Sequence, residues 1–183
     1  MADLGPLTWP PAPISTERLL LRQPEPRDRA TIIELGASHE VNAYVGGARP
    51  RDELEREISA TPQARSGQFV VDLDGAMIGL VQLDRRTGNH EFGPALGRVE
   101  LGYLFLPNAW GQGYAAEACA AVLGWFDDAV PDEPVVLVTQ TANERSMRLA
   151  KRLGFTEVQL FEAWGAEQWF GERPAAASAA STN

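Results

Sequence analysis

Apolar positions along the chain fall into short runs cut by polar, glycine and proline segments, and their spacing predicts an alternation of strands and helices. Residues 15–22, STERLLLR, read as a first strand, and Pro24 to Asp28 turn the chain. A helix is expected over 29–40, with Ile32, Ile33 and Leu35 as apolar anchors, followed by a loop over 42–47 that carries Tyr44, Gly46 and Gly47. Pro50 opens a second helix over 51–59. The runs 68–72 and 77–83 flank Leu73-Asp74-Gly75-Ala76, and Asp-Gly between apolar runs predicts a hairpin. A polar excursion over 85–97 leads into a strand over 98–106 that Pro107 ends. An alanine-rich helix follows over 113–126. Residues 135–139 are nearly all apolar and β-branched, as in a strand covered on both faces. A helix from Asn143 and two last strands, 157–161 and 168–170, complete the pattern. Residues 1–14 are expected as an irregular lead-in, 15–173 as one domain, and 174–183 as a disordered tail.

Composition narrows the function. A chain of 183 residues is long enough for one domain with a substantial core. Sixteen basic residues against 25 acidic ones give a net charge of −9, which argues against nucleic acid as the main partner. The same balance is compatible with an amine-bearing substrate. No apolar run spans a bilayer, and the first residues lack the basic and apolar regions of a signal peptide. A cytoplasmic protein without a membrane partner is expected. Cys119 is the single cysteine, so no internal disulfide forms, and it reads as a small buried residue rather than a nucleophile. His39 and His90 offer no paired ligand spacing, and no metal site is expected.

The candidate chemistry begins at Glu100-Leu101-Gly102-Tyr103-Leu104-Phe105-Leu106, a strand that feeds Trp110-Gly111-Gln112-Gly113-Tyr114-Ala115 and then the alanine-rich helix. Helix starts carry unpaired N–H groups and a partial positive charge, and glycines let an anion approach them. A phosphate or pyrophosphate site is predicted there. The Rossmann fingerprint is incomplete, with only Gly111 and Gly113 before Ala115 and Ala116, and the Walker lysine is absent. Further on, Asn143-Glu144-Arg145-Ser146 opens a helix with Met147, Leu149, Ala150 and Leu153 as its apolar face and Gly154 as its stop.

Trp110 to Ala115 resembles the Q/R-x-x-G-x-G/A acetyl-CoA signature of the GNAT acetyltransferases, with Trp110 at the usual Gln or Arg position. Asn143 to Phe155 resembles that family's N-x-x-S/A-x-x-L-x-x-x-x-G-F element. The run Thr16-Glu17-Arg18-Leu19-Leu20-Leu21-Arg22 resembles the opening of the branch containing the ribosomal-protein (RimJ/RimL-like) N-acetyltransferases. The likeness implies the GNAT fold: an α/β (α+β) domain with a mixed, mostly antiparallel sheet of about seven strands, flanked by about four helices. Two central strands, holding Leu104 and Val136, are expected to splay apart around the cofactor.

The resemblance also implies an acetyl-CoA-dependent N-acetyltransferase acting on a primary amine of a protein N-terminus or small molecule by direct attack. Amides around Gln112, Gly113, Tyr114, Ala115 and Ala116 are expected to take the pyrophosphate. The main chain of Leu104, Phe105 and Leu106 is expected to pair with the pantetheine arm, with the Leu104 amide polarising the thioester. Asn143 and Ser146 are expected near the sulfur, and Ser146 hydrogen-bonds the leaving thiolate or only caps its helix. Many relatives carry a tyrosine seven residues after the asparagine, where this chain has Ala150. Glu100 is the leading general base, with Glu162 and Glu167 as rivals and loss of the proton to water as a further route. Trp164, Trp169, Phe170 and Tyr44 are candidates to line the acceptor pocket. The alternatives are another acyl donor, an oxygen acceptor, or a non-catalytic acetyl-CoA-binding module. A homodimer is compatible with the resemblance.

Overall fold

The computed structural model describes Leu4, Leu7, residues 9–87 and residues 90–176. Among the described residues eight strands form one sheet in the order β1-β2-β3-β4-β5-β6-β8-β7. They are β1 (Ile14–Ser15), β2 (Leu20–Arg22), β3 (Gln68–Leu73), β4 (Ala76–Arg85), β5 (Val99–Phe105), β6 (Val135–Gln140), β7 (Thr156–Ala163) and β8 (Ala166–Arg173). Every neighbouring pair is antiparallel except β5 and β6, which are parallel. The helices are α1 (Arg29–Ala37), α2 (Arg51–Glu57), α3 (Tyr114–Ala129) and α4 (Glu144–Arg152).

The expected first strand is two. Thr16 folds 15–22 into a tight hairpin: its N–H donates to the Leu19 carbonyl at 2.9 Å, and its Oγ1 accepts the Leu19 N–H at 2.9 Å. This local side-chain capture of a backbone donor competes with continued extension, and it makes the sheet eight-stranded. The first helix stops before residue 40 because the Asn42 side chain claims its terminal carbonyls. Asn42 Nδ2 donates to Leu35 O at 2.6 Å and Ser38 O at 2.9 Å. The last hairpin is longer than its apolar runs predict, since β7 is an edge strand with mostly exposed side chains.

Alternation along the strands sends apolar side chains to both faces. On one face Phe69, Val81, Leu101, Phe105, Leu137 and Trp169 pack against α3 and α4 through Cys119, Val122, Phe126 and Ala150. On the other, Val70, Met77, Leu80 and Leu104 pack against Ile32 and Leu35 of α1. Beside them Val136 and Phe170 are covered by Ala95 from the β4–β5 connection. The lead-in contributes to the core: Leu4 is buried, and Trp9 stands edge-on to Phe69 and Trp125, with centroids 5.2 and 6.0 Å away. Trp169 lies across Gly171, where a Cβ would come within 2.1 Å of the indole. Trp169 and Phe170 are therefore core residues, contrary to the expectation that they line a pocket.

A buried ion cluster ties β2 to the turn before α1 and to β3. Arg22 Nη1 and Nη2 donate to the Asp28 carboxylate at 2.7 and 2.9 Å, and Nε donates to Asp72 Oδ2 at 2.9 Å. Burial works to raise the Asp28 pKa, but the Arg22 hydrogen bonds and charge outweigh it and hold the carboxyl below its ordinary value. Removing one member of such a cluster leaves uncompensated buried charge. Arg22→Ala is expected to lower unfolding free energy by about 3–5 kcal/mol in denaturant titration. Because the folded-state pKa of Asp28 is depressed, its stabilisation is complete above the unfolded carboxylate pKa and is lost as pH falls through the folded value. The acid limb of wild-type stability should flatten in the variant.

Candidate active site

The parallel strands β5 and β6 pair only at Val99–Val135 and Glu100–Val136, although β5 continues to Phe105 and β6 to Gln140. Beyond that point their facing edges separate into a gap. Leu106 N–H donates to Ile78 O at 3.0 Å, so strand alternation turns the amides of Leu104 and Gly102 toward β4 too. The amides of Tyr103 and Phe105 face the gap, while that of Leu101 turns to β6 at the end of the paired stretch. Of the three main-chain positions expected along the pantetheine, Phe105 is so placed. The Leu104 and Leu106 amides are turned to β4, so the Leu104 amide does not point into the gap, whereas that of Tyr103 does.

Leading out of β5, a turn at Pro107–Ala109 carries the chain into Trp110–Gly113. Gly111 and Gly113 adopt φ of 75° and 83°, a region that other residues enter at a cost, and Gly113 caps the N-terminus of α3. Gly111, Gln112 and Gly113 are exposed, while Tyr114, Ala115 and Ala116 are half-buried at the helix start. Their N–H groups therefore form an open cradle of main-chain donors, of the kind an anion can occupy at a helix N-terminus. Trp110 holds this turn to the strand: its Nε1 donates to Phe105 O at 2.8 Å.

Cations flank the cradle. Arg18 Nη1 donates to Gln112 O at 3.0 Å, its Nε to Glu117 Oε2 at 2.7 Å, and its guanidinium lies 4.6 Å over the Tyr114 ring. Glu117 also accepts from Thr16 Oγ1 at 2.6 Å. Burial works to raise the Glu117 pKa, yet these hydrogen bonds hold it below its ordinary value. Arg18 thus neutralises a carboxylate in the first turn of α3 that would repel a phosphate. Arg145 of α4 lies 5.6 Å over the Trp110 ring.

Ser146 and Asn143 come together at the start of α4. Asn143 Oδ1 accepts the Ser146 N–H at 3.2 Å and is the N-cap. The Ser146 hydroxyl takes no part in the cap and lies 2.7 Å from the Tyr103 hydroxyl. Ala150 is buried in the core. Cys119 is buried in α3, and burial pushes its thiol pKa far up, so it stays protonated.

Glu100 lies on the opposite face, with Gly102 and Leu104. It is 7% exposed and accepts from Arg86 Nε at 2.5 Å and from the Val138 N–H across the gap. Burial raises its pKa, and the partly compensating Arg86 hydrogen bond and charge leave the carboxyl above its ordinary value. Among the described residues a Cβ built on Gly102 meets nothing within 4 Å, so they leave open space beside Glu100. Glu162 and Glu167 pair across the exposed tip of the β7–β8 hairpin, where Trp164 is also exposed. Tyr44 is exposed after α1.

Tyr103, Arg86, Arg18 and Arg145 were not anticipated. Tyr103 carried one legible signal, a strand parity opposite to that of Leu104. Its meeting with Ser146, 43 residues away, is purely tertiary.

Residues 18–156 match the family model described as acetyltransferase (GNAT) domain. The uncharacterized N-acetyltransferase YoaA of Bacillus subtilis is 27% identical over 147 residues, covering 78% of this chain and 81% of the relative. A GNAT-family acetyltransferase structure from Bacillus anthracis superposes with a TM-score of 0.71 at 21% identity, covering 88% of this chain and 98% of that one. Spermidine N-acetyltransferase from Vibrio cholerae, solved with CoA and spermine, gives a TM-score of 0.67 at 19% identity, with 88% and 98% covered.

Gly113→Val forces a β-branched residue into the left-handed region, a backbone strain that arises even though its added Cβ would make only an ordinary 3.4 Å contact with Arg18 Nη2. Acetyl-CoA affinity, measured by calorimetry, is expected to fall roughly 5- to 30-fold, in line with a strain of roughly 1–2 kcal/mol at the cradle.

Proposed function

Because the chain belongs to the GNAT acetyltransferase family, and its cofactor is accordingly acetyl-CoA, we propose that it moves an acetyl group to a primary amine of a protein N-terminus or small molecule, by direct attack in a ternary complex. The observation that carries this reading is the exposed glycine cradle at α3 opening directly beside the β5–β6 gap. A pyrophosphate on the cradle leaves the pantetheine arm to run along the gap-facing backbone of β5, and an amide there polarises the carbonyl. The amine approaches from the Gly102 side, where the described residues leave open space.

In this reading Glu100 accepts the amine proton, through water in the narrow gap. Its burial-raised pKa suits it to hold that proton better than an exposed carboxylate does. The amine nitrogen bonds to the carbonyl carbon, the C–S bond breaks, and sulfur leaves with the electron pair toward Ser146, which donates a hydrogen bond. Ser146 and the Thr16–Arg22 run support a place in the ribosomal-protein N-acetyltransferase branch. The spermine named for the Vibrio cholerae structure makes polyamines the first small-molecule acceptors to try. Ala150, where many relatives have tyrosine, favours a second reading, a non-catalytic acetyl-CoA-binding module.

The test is thiol release from acetyl-CoA with peptide N-termini, polyamines, aminoglycosides and amino acids. Turnover with one class names the acceptor; tight acetyl-CoA binding without release across the panel selects the module. The base must be ionised, so kcat/KM is expected to fall as pH drops through a pKa above the ordinary glutamate value. Glu100→Gln should lower the plateau and erase that limb; an unchanged profile assigns the proton to another group. Gly102→Val should raise KM for the amine while acetyl-CoA affinity holds, because it fills only the open side.

A further inference from the structure

We propose that Tyr103 is a positioning residue for the acetyl transfer, turning the Ser146 hydroxyl proton toward the thioester sulfur. This rests on the reading of Ser146 given above. Tyr103 sits on β5 where the strand edge borders the gap, and its side chain leaves the sheet on the α3–α4 side. Ser146 is in the first turn of α4, which begins just past the end of β6. Their 2.7 Å contact therefore spans the gap, joining the strand on one side to the helix that follows the strand on the other.

The direction of this hydrogen bond follows from chemistry. A phenol is a stronger donor than an aliphatic alcohol, and an alcohol oxygen is the better acceptor. With Tyr103 donating, Ser146 keeps its own proton for a different acceptor. Among the described residues Ser146 Oγ has no other hydrogen-bond partner, because Asn143 caps the helix through the Ser146 amide. Burial holds the phenol protonated at all ordinary pH, so it remains a donor. As the C–S bond breaks, negative charge grows on sulfur. The Ser146 O–H donates to it, and the Tyr103 O–H compensates the oxygen that is being polarised. The first turn of α4 adds its positive end. No proton passes between Tyr103 and Ser146; CoA departs as thiolate and is protonated by solvent. The tyrosine thus acts on the sulfur only through Ser146, from β5, while the α4 position Ala150 is buried.

The experiment is a double-mutant cycle on the full chain with Tyr103→Phe, Ser146→Ala and both, read as kcat and KM with the acceptor found above. Thermal melts check that each variant folds. Ser146→Ala is expected to lower kcat roughly 10- to 100-fold, the scale of one hydrogen bond to a charged group, with KM for acetyl-CoA little changed. Tyr103→Phe should lower kcat about tenfold and leave that KM unchanged. The double variant should be no slower than Ser146→Ala alone, because the phenol acts only through the serine. Wild-type kcat in Ser146→Ala would remove the reading of Ser146 itself. A slow Ser146→Ala with an unimpaired Tyr103→Phe would overturn the positioning role alone, as would additive losses in the double variant.

Discussion

The two-residue parallel contact between β5 and β6 is the constraint on which the rest of the site depends. Parallel pairing beyond Glu100–Val136 would close the ladder and bury the backbone groups that now face the gap. Two features hold the strands apart without leaving them loose. Each is fully committed on its outer side, β5 to β4 and β6 to β8. At the vertex, Glu100 accepts the Val138 N–H that the lost ladder would have satisfied. A buried carboxylate in that position needs a counter-charge, and Arg86 supplies it. One residue thus serves the geometry of the gap and, in the proposed reaction, its proton chemistry.

The cradle is a second consequence of the same strand. β5 ends where the strands have diverged, so the turn that follows it emerges beside the gap. Trp110 fixes this turn by donating to Phe105 O, the last residue of the strand. Arg18 fixes it from the other side and masks Glu117. In place of the Gln or Arg common in the family, a tryptophan secures the turn by an indole hydrogen bond. In the proposed function the anion-binding groups are main-chain amides, so the substitution leaves their number unchanged.

The sheet itself separates the two proton tasks. Glu100 and Tyr103 differ in strand parity and lie on opposite faces. In the proposed reaction, the amine loses its proton on the α1 side and the sulfur gains its hydrogen bond on the α4 side. Neither group then competes for the other's proton.

Sequence alone determined most of the elements and the local conformation of the loop that enters α3. Gly111 and Gly113 before an alanine-rich helix specify an exposed glycine turn because their constraint is local: positive φ and a helix start. Asn143 specifies its cap for the same reason, and the order of strands and helices follows from apolar periodicity. The split of 15–22 into β1 and β2 escaped that periodicity because one Thr16 hydroxyl decided it. Trp169 and Phe170 read equally well as pocket aromatics and as core; their burial against Gly171 and Ala95 decided it. The direction of the amides along β5 was fixed by the register with β4, which assigns the gap to Tyr103 and Phe105 rather than Leu104. The Arg86–Glu100 pair and the Tyr103–Ser146 contact required the folded sheet, since their partners are 14 and 43 residues apart and no local spacing encodes a meeting across a gap.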